Sequence, residues 1–539
     1  IAAGHAWTTI EAQGGAPSAS DVANLAGDGT AVAANLSDPS SVTGGGLGTI
    51  NLPGIETVNI DAATGDVTAN GTTGDNEVTY APTGANAGTI TEDGLNTTIN
   101  LSNVGDLTID AASGSDTLVV LGTTAADTFT VSDTAVLHDS LQAANTFTNV
   151  AALTITGDAG TDTFNVTPGS VPVFIDGNDP VGGTPGDTLN IDSGGAAVTP
   201  NVGPTNDEGS FDVAGTETVS YDHIESIGVT GTGTGAVVLG GTNSDDNITV
   251  VGTGVDDFAI SVNGSIATQY TNFNSLVINA MSGDDDIDVD VNNLAIGTFT
   301  VNGDLPTTSG GDLLSVSGTN ANFSPTSDDQ ASITVDAQAI AVNSMELVSL
   351  DGEAADGVLT LTTPSADDSI VLTPGSTVDS GNIQVTSLLG LQFGNMGDGG
   401  SIVIDDTDLV TDDTLVYRGT GSDDTFAVSA AGILSLNDQI TVDVAGDVAT
   451  LTLDGQDGDD TFAVTAGHGI GTLNLAGGGP SASDVANLAG DGTAVAANLS
   501  DPSSVTGGGL GTINLPGIET VNIDAATGDV TANGTTGDD

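Results

Sequence analysis

The stretch DGQDGDDTFAV, Asp454 to Val464, places four carboxylates in seven residues and then alternates Phe462 and Val464 with Thr461 and Ala463. Alternation with a period of two reads as a half-buried strand, and the Gly/Asp run in front of it reads as a tight turn. The same frame, G-x-x-small-x-D-[TN]-[FI]-x-V, recurs at GDAGTDTFNV (Gly157 to Val166), GTNSDDNITV (Gly241 to Val250) and GTGSDDTFAV (Gly419 to Val428). Looser copies begin at Ala111, Gly122, Gly182, Ala280 and Thr363.

A second pattern, φxxφxφ with φ apolar, punctuates the chain at Ile55, Val104, Val150, Ile224, Phe273, Met345, Leu388 and Val448, and Ile518 begins the cycle again. The spacings run from 43 to 74 residues and complete a period of 463. Pro17 to Asp75 returns without a change at Pro480 to Asp538, at that same offset. The chain therefore divides into residues 1–76, which match 464–539, and an intervening 77–463, the whole period being about eight diverged units. A window on a longer tandem array is the expectation; two copies of a small module at the ends of a finished protein is the other reading.

Composition sets the fold class. Seventy-seven glycines, 3% aromatic residues and abundant Thr, Val, Asn and Asp describe short strands joined by tight turns around a thin aliphatic core. The expected architecture is an all-β repeat protein, a parallel β-solenoid in which φxxφxφ and D-T-F-x-V form successive strands meeting at a Gly/Asp corner, with further strands and surface hairpins in between. Tandem β-sandwich domains are the alternative. The Ala-rich SDVANLAG and GTAVAANLSDP read as a short helical turn capped by Ser20 or Asp21, or as loop. Trp7 reads as core or as packing between units.

Seventy-three acidic residues against one basic residue, Arg418, give a formal charge of −72. That charge excludes nucleic acid and anionic membranes as partners and calls for cations. No cysteine and no lysine means neither a disulfide nor a Lys-Asn crosslink, and no apolar run is long enough to span a membrane. His5, His138, His223 and His468 are isolated in sequence and suggest no zinc site. Sequons at Asn35, Asn96, Asn165, Asn247, Asn263 and Asn322 are what so Asn- and Thr-rich a chain yields by chance. One Trp, four Tyr and one Arg supply neither the aromatic platforms nor the basic groups of a sugar-cleaving site, so no enzyme is expected.

The turn frame resembles the hemolysin-type, RTX calcium-binding nonapeptide G-G-x-G-x-D-x-U-x. The resemblance implies Ca2+ at Gly/Asp turns, with Asp158, Asp162, Asp245, Asp246, Asp284, Asp285, Asp286, Asp288, Asp423, Asp424, Asp457, Asp459 and Asp460 as ligands. The copies depart from that family in being tens of residues apart and in replacing the second glycine, by Asp158, Gln456 or Thr242. In GDDDIDVDV (Gly283 to Val291), alternation sets Asp286, Asp288 and Asp290 on one face, and DDTDLVTDD adds Asp405, Asp406, Asp408, Asp412 and Asp413. Solvated turns, or acidic faces that protect strand edges, account for the same residues without metal. The functional expectation is a structural component of an extracellular filament or surface layer, its partners calcium and copies of itself. The alternative is an adhesin-type module presenting Thr-rich strands to a glycan, a surface or ice.

Overall fold

The computed structural model describes residues 1–15, 21–139, 145–183, 185–304, 311–364, 367–406, 413–444, 448–479, 483–500 and 502–535. Those residues form 53 strands in two mixed, mostly parallel sheets and no helix. The chain passes from one sheet to the other and back. Thr163–Val166 lies in the first sheet, Val173–Asp176 in the second, and Thr188–Asp192 returns to the first beside Thr163–Val166. Parallel pairing of like strands, Phe164 opposite Leu189 and Val166 opposite Ile191, is the coil-on-coil arrangement of a β-solenoid. A string of sandwiches would pair neighbouring strands in antiparallel meanders instead.

Alternation decides which way each side chain points. In the strand Thr163–Val166, Phe164 and Val166 are buried, while Thr163 and Asn165 face outward. Because the pairing is parallel and in register, identical side chains stack. Phe129 lies on Phe164 and Phe426 on Phe462, each pair at 5.3 Å between ring centres and nearly coplanar. Outside, amides stack in the same way: Asn100 Nδ2 donates to Asn59 Oδ1, and Asn59 Nδ2 to Asn24 Oδ1, both at 2.8 Å. Each amide satisfies the next, so the outer polar row is self-consistent.

Two compact units divide the chain, residues 1–240 with 256–276 and residues 241–255 with 277–539. Each contains four excursions in which the chain runs forward, back and forward again within a single sheet. One comprises Val198–Val202, Gly209–Val213 and Val219–Asp222. Its outer strands rejoin the parallel ladder, Val219–Asp222 beside Val173–Asp176, and Val198 opposite Val237. In the first unit the others begin at Val32, Glu77 and Thr128. In the second they begin at Ala321, Ser369, Thr425 and Val495. The excursion at Val495 repeats the one at Val32 register for register, Val495 opposite Gly507 as Val32 is opposite Gly44.

The φxxφxφ pattern marks the strand in which the chain crosses to the other sheet after an excursion. Thr57–Asp61, Leu107–Asp110, Ala152–Thr156, Ser226–Thr230, Leu347–Asp351 and Val448–Asp454 all hold this place, with the apolar positions buried. The copy at Leu388 differs: it falls in Leu391–Gly394, the last strand of an excursion, and Leu389 is buried in place of Leu388.

Three expectations need correction. The hairpins are not surface additions but are woven into the sheets, because their middle strands hydrogen-bond on both sides. The Ala-rich segments are neither helical turn nor loop: Val22–Ala26 and Val32–Asn35 are strands with Ala23, Leu25, Val32 and Ala34 buried, since ladder partners on either side override the weak helical preference of alanine. Trp7 is 68% exposed and lies against the ring of His5, so it is not core. Ser20 lies outside the described residues.

Stacked aromatics should dominate local stability. Phe462→Ala is expected to lose about 3–5 kcal/mol in denaturant unfolding. Thr461→Ala, on the outward face beside it, should stay within about 0.5 kcal/mol.

Candidate functional site

The sixth residue of every turn frame, Asp116, Asp127, Asp162, Asp187, Asp246, Asp285, Asp368, Asp424 or Asp460, sits at a corner just ahead of a strand. All but the half-buried Asp368 are buried, Asp162, Asp187, Asp285 and Asp460 at 0% exposure. Each is tied to the next coil. The backbone N–H of Asp127 donates to Asp162 Oδ1 at 2.7 Å, that of Asp162 to Asp187 Oδ1 at 2.6 Å, and that of Asp187 to Glu225 Oε2 at 2.7 Å. A second ladder runs Asp246, Asp285, Asp312, Glu346 at 2.7, 2.9 and 2.7 Å. A third runs Asp424, Asp460, Asp484, Glu519 at 2.8, 2.8 and 2.9 Å. Shorter pieces are Asp21 to Glu56, Asn76 to Asp116 and Asp368 to Asp413.

The glycine that opens the frame has a steric role. A Cβ added to Gly455 would lie 2.0 Å from Asp460 Oδ2, and one added to Gly157 or Gly419 would lie 2.3 or 2.4 Å from the Oδ2 of Asp162 or Asp424. In these three copies the carboxyl folds back onto a bare Cα; Asp187 lies in the same way against Gly177, and the copies that open on Ala111, Ala280 and Thr363 hold their Asp without an opening glycine. At all three ladder heads Oδ2 also accepts a backbone N–H four residues back, from Thr123 at 2.6 Å, from Thr242 at 2.5 Å and from Thr420 at 2.7 Å. Inside the ladders Oδ2 of Asp162, Asp187, Asp285, Asp312, Asp460 and Asp484 is buried with no hydrogen-bond partner.

A charge in that position is poorly solvated. Burial pushes the carboxyls of Asp162 and Asp312 up to about 7 and those of Asp187, Asp285 and Asp460 up to about 6, against the pull of the N–H bonds they accept. Neighbouring ladder carboxylates add repulsion in the same direction. The opposite corner carries a different clamp, in which an Asp accepts from a side chain one coil on. Asn103 donates to Asp61 at 2.9 Å, Asn149 to Asp110 at 2.7 Å and Asn395 to Asp351 at 2.8 Å, each Asn at positive φ. The bonds from Asn103 and Asn149 hold the carboxyls of Asp61 and Asp110 below their usual value. His223 takes the same place on Asp176 at 2.9 Å, and that bond raises its imidazole.

The thirteen residues expected to hold calcium separate into three groups. Asp162, Asp246, Asp285, Asp424 and Asp460 belong to the buried ladders. Asp158, Asp245, Asp284, Asp423, Asp457 and Asp459 lie exposed at the same corners, where the N–H groups of Asp284 and Asp459 donate to Asp245 and Asp423 at 3.1 and 3.0 Å. Asp286 and Asp288 project outward from Asp286–Asp290, opposite the buried Ile287 and Val289. Of the second acidic cluster, Asp413 is buried in a ladder, accepting from Thr363 Oγ1 at 3.1 Å, Asp405 is exposed, and Asp408 and Asp412 lie outside the described residues. Among the described residues, three potential ligand atoms come within 4.8 Å of one another only at Asp127, His138 and Asp139, a grouping that sequence spacing did not suggest. Asp312, Asp484 and the four terminal glutamates also went unnoticed. A glutamate in the second position of φxxφxφ, as in Ile55-Glu56, Ile224-Glu225, Met345-Glu346 and Ile518-Glu519, was the available signal.

No protein-family model matches the chain, and no curated protein is significantly similar to it.

Two measurements test the ladders. Gly455→Ala is expected to lose about 1–3 kcal/mol by overpacking, whereas Gly421→Ala, with open space around the new methyl group, should be near neutral. The ladder carboxyls have folded-state values above the unfolded one, so their contribution to stability is complete below about pH 4 and is lost as pH rises through about 6 to 7. The depressed Asp61 and Asp110 act oppositely, and their contribution is lost as pH falls below the usual carboxylate range. Melting temperature should therefore peak near pH 4–5 and decline toward pH 7.5, and Asp460→Asn should flatten part of that decline.

Proposed function

We propose that the chain is a segment of a structural β-solenoid array, a component of an extracellular filament or cell-surface layer. The observation that carries this reading is continuity of pairing across the sequence period. Thr461–Thr465, at the end of one period, pairs in register with Val485–Ala489, near the start of the next. Coils of successive periods thus join by the same ladder that joins coils within a period, which is what an array of any length requires. The Asp-Glu ladder ends, the stacked Asn rows and the stacked rings are all coil-to-coil devices.

Calcium fits this role through the outward carboxylates. Asp245, Asp284, Asp423 and Asp459 stack from coil to coil on a chain of net charge −72, and a divalent ion would relieve their repulsion. A site held at 100 times its dissociation constant adds about 2.7 kcal/mol to folding. In the RTX-like reading the buried member of each Asp pair shapes the turn and the exposed member offers oxygen to the ion.

A second reading rests on outward threonine columns. Thr414, Thr450, Thr472 and Thr512 lie in register across four strands, a regular hydroxyl row suited to a glycan, a mineral surface or ice. Thr57 and Thr98 stack likewise in the other sheet, so no single face is singled out, and the structural reading stands first.

Thermal unfolding followed by circular dichroism in millimolar calcium, equal magnesium, or chelator at matched ionic strength tests the calcium element. Melting is expected to rise with calcium beyond the magnesium value, and identical curves would remove calcium from the proposal. Electron microscopy of a two-period chain tests the array itself. A thread of constant width is expected, and a string of separate beads would refute it.

A further inference from the structure

We propose that Asp127, His138 and Asp139 form a site for one divalent transition-metal ion. His138 lies on the middle strand of an excursion, Ala135–His138, opposite Phe129 in register. Its side chain is fully buried, edge-on to the Phe129 ring at 4.7 Å. Nε2 stands 3.2 Å from Asp127 Oδ1 and Nδ1 stands 3.7 Å from Asp139 Oδ1. Asp127 is 3% exposed and the Asp139 side chain about half exposed, so the group has a buried floor and an open side. Ligand atoms gathered within 4.8 Å suit a first-row ion that holds imidazole and carboxylate at about 2.0–2.2 Å each.

The third ladder shows that a ladder head closes without these groups. There Phe426 is opposite Leu436 in register, as Phe129 is opposite His138. Asn437 follows, as Asp139 follows His138, and its Nδ2 donates to the head residue Asp424 at 2.7 Å. A leucine and an amide thus complete the head of that ladder. At Asp127 an imidazole and a second carboxylate replace them and place two negative charges beside one nitrogen base. A divalent ion with neutral imidazole balances that set, and the imidazole favours zinc, cobalt, nickel or copper over calcium. The site is separate from the outward carboxylates assigned to calcium and does not depend on them.

Cobalt is the probe, because its visible absorption reports a nitrogen- and oxygen-ligated site directly. Titration of the whole chain should show one equivalent bound with d–d absorption, undiminished by a tenfold excess of calcium. His138→Leu should abolish the absorption while leaving the melting temperature near that of the parent, since Leu436 occupies the same place in the third ladder. Asp139→Asn, which copies Asn437 at a half-exposed position, should weaken binding about tenfold or more and gives a second test should the first variant unfold. Cobalt binding unchanged in either folded variant, absence of stoichiometric binding in the parent chain, or displacement by equimolar calcium would each overturn the assignment.

Discussion

A buried aspartate that accepts the backbone N–H of its counterpart one coil earlier is the contact on which the rest of this molecule depends. A solenoid corner breaks the sheet ladder and leaves a peptide donor inside the protein with no strand to receive it, and an unpaired donor there is costly. The carboxyl of the next coil fills that need, and its own N–H is passed on to the coil beyond. In copies such as Gly157, Gly419 and Gly455 the glycine five residues ahead gives the carboxyl its room, because Oδ2 rests where a Cβ would stand. The chain of donors must also stop somewhere, and in the three longest ladders it stops at a glutamate whose longer side chain reaches back from the residue just ahead of a strand.

The same arrangement explains how so acidic a chain packs at all. Its carboxylates fall into two populations. One is drawn inside, where burial favours the protonated form and the acid serves as backbone partner; the other remains at exposed corners and on outward strand faces, where water or cations screen it. Neighbouring residues such as Asp459 and Asp460 take the two roles side by side. A fold held by coil-to-coil repetition of this kind has no preferred length, and that property, more than any single residue, supports the reading as a structural array.

Much of the fold was legible in the sequence. Alternation in DTFAV gave the strand and its buried face, and φxxφxφ located the return to the opposite sheet, because both patterns record burial directly. The excursions were less visible, since a hairpin strand that pairs within a sheet has the same alternation as one that folds over its surface. Ala23 and Ala34 misled because alanine carries little strand preference, and the ladder partners that decide the matter lie tens of residues away. The frame's Asp was found for its possible calcium chemistry, whereas its backbone partnership depends on a donor one coil earlier that no local motif records. His138 and Asp127 are eleven residues apart and meet only because the excursion folds back on its first strand.

Amide hydrogen exchange at the corner residues tests the central claim most directly. The N–H groups of Asp127, Asp162, Asp246, Asp285, Asp424 and Asp460 lie in turns, outside any strand, yet each has a buried carboxylate acceptor. The account predicts that they exchange as slowly as the central strand amides, through cooperative opening of the fold. Exchange at the rate of exposed turn amides such as that of Gly421 would show that the ladders do not hold the coils together.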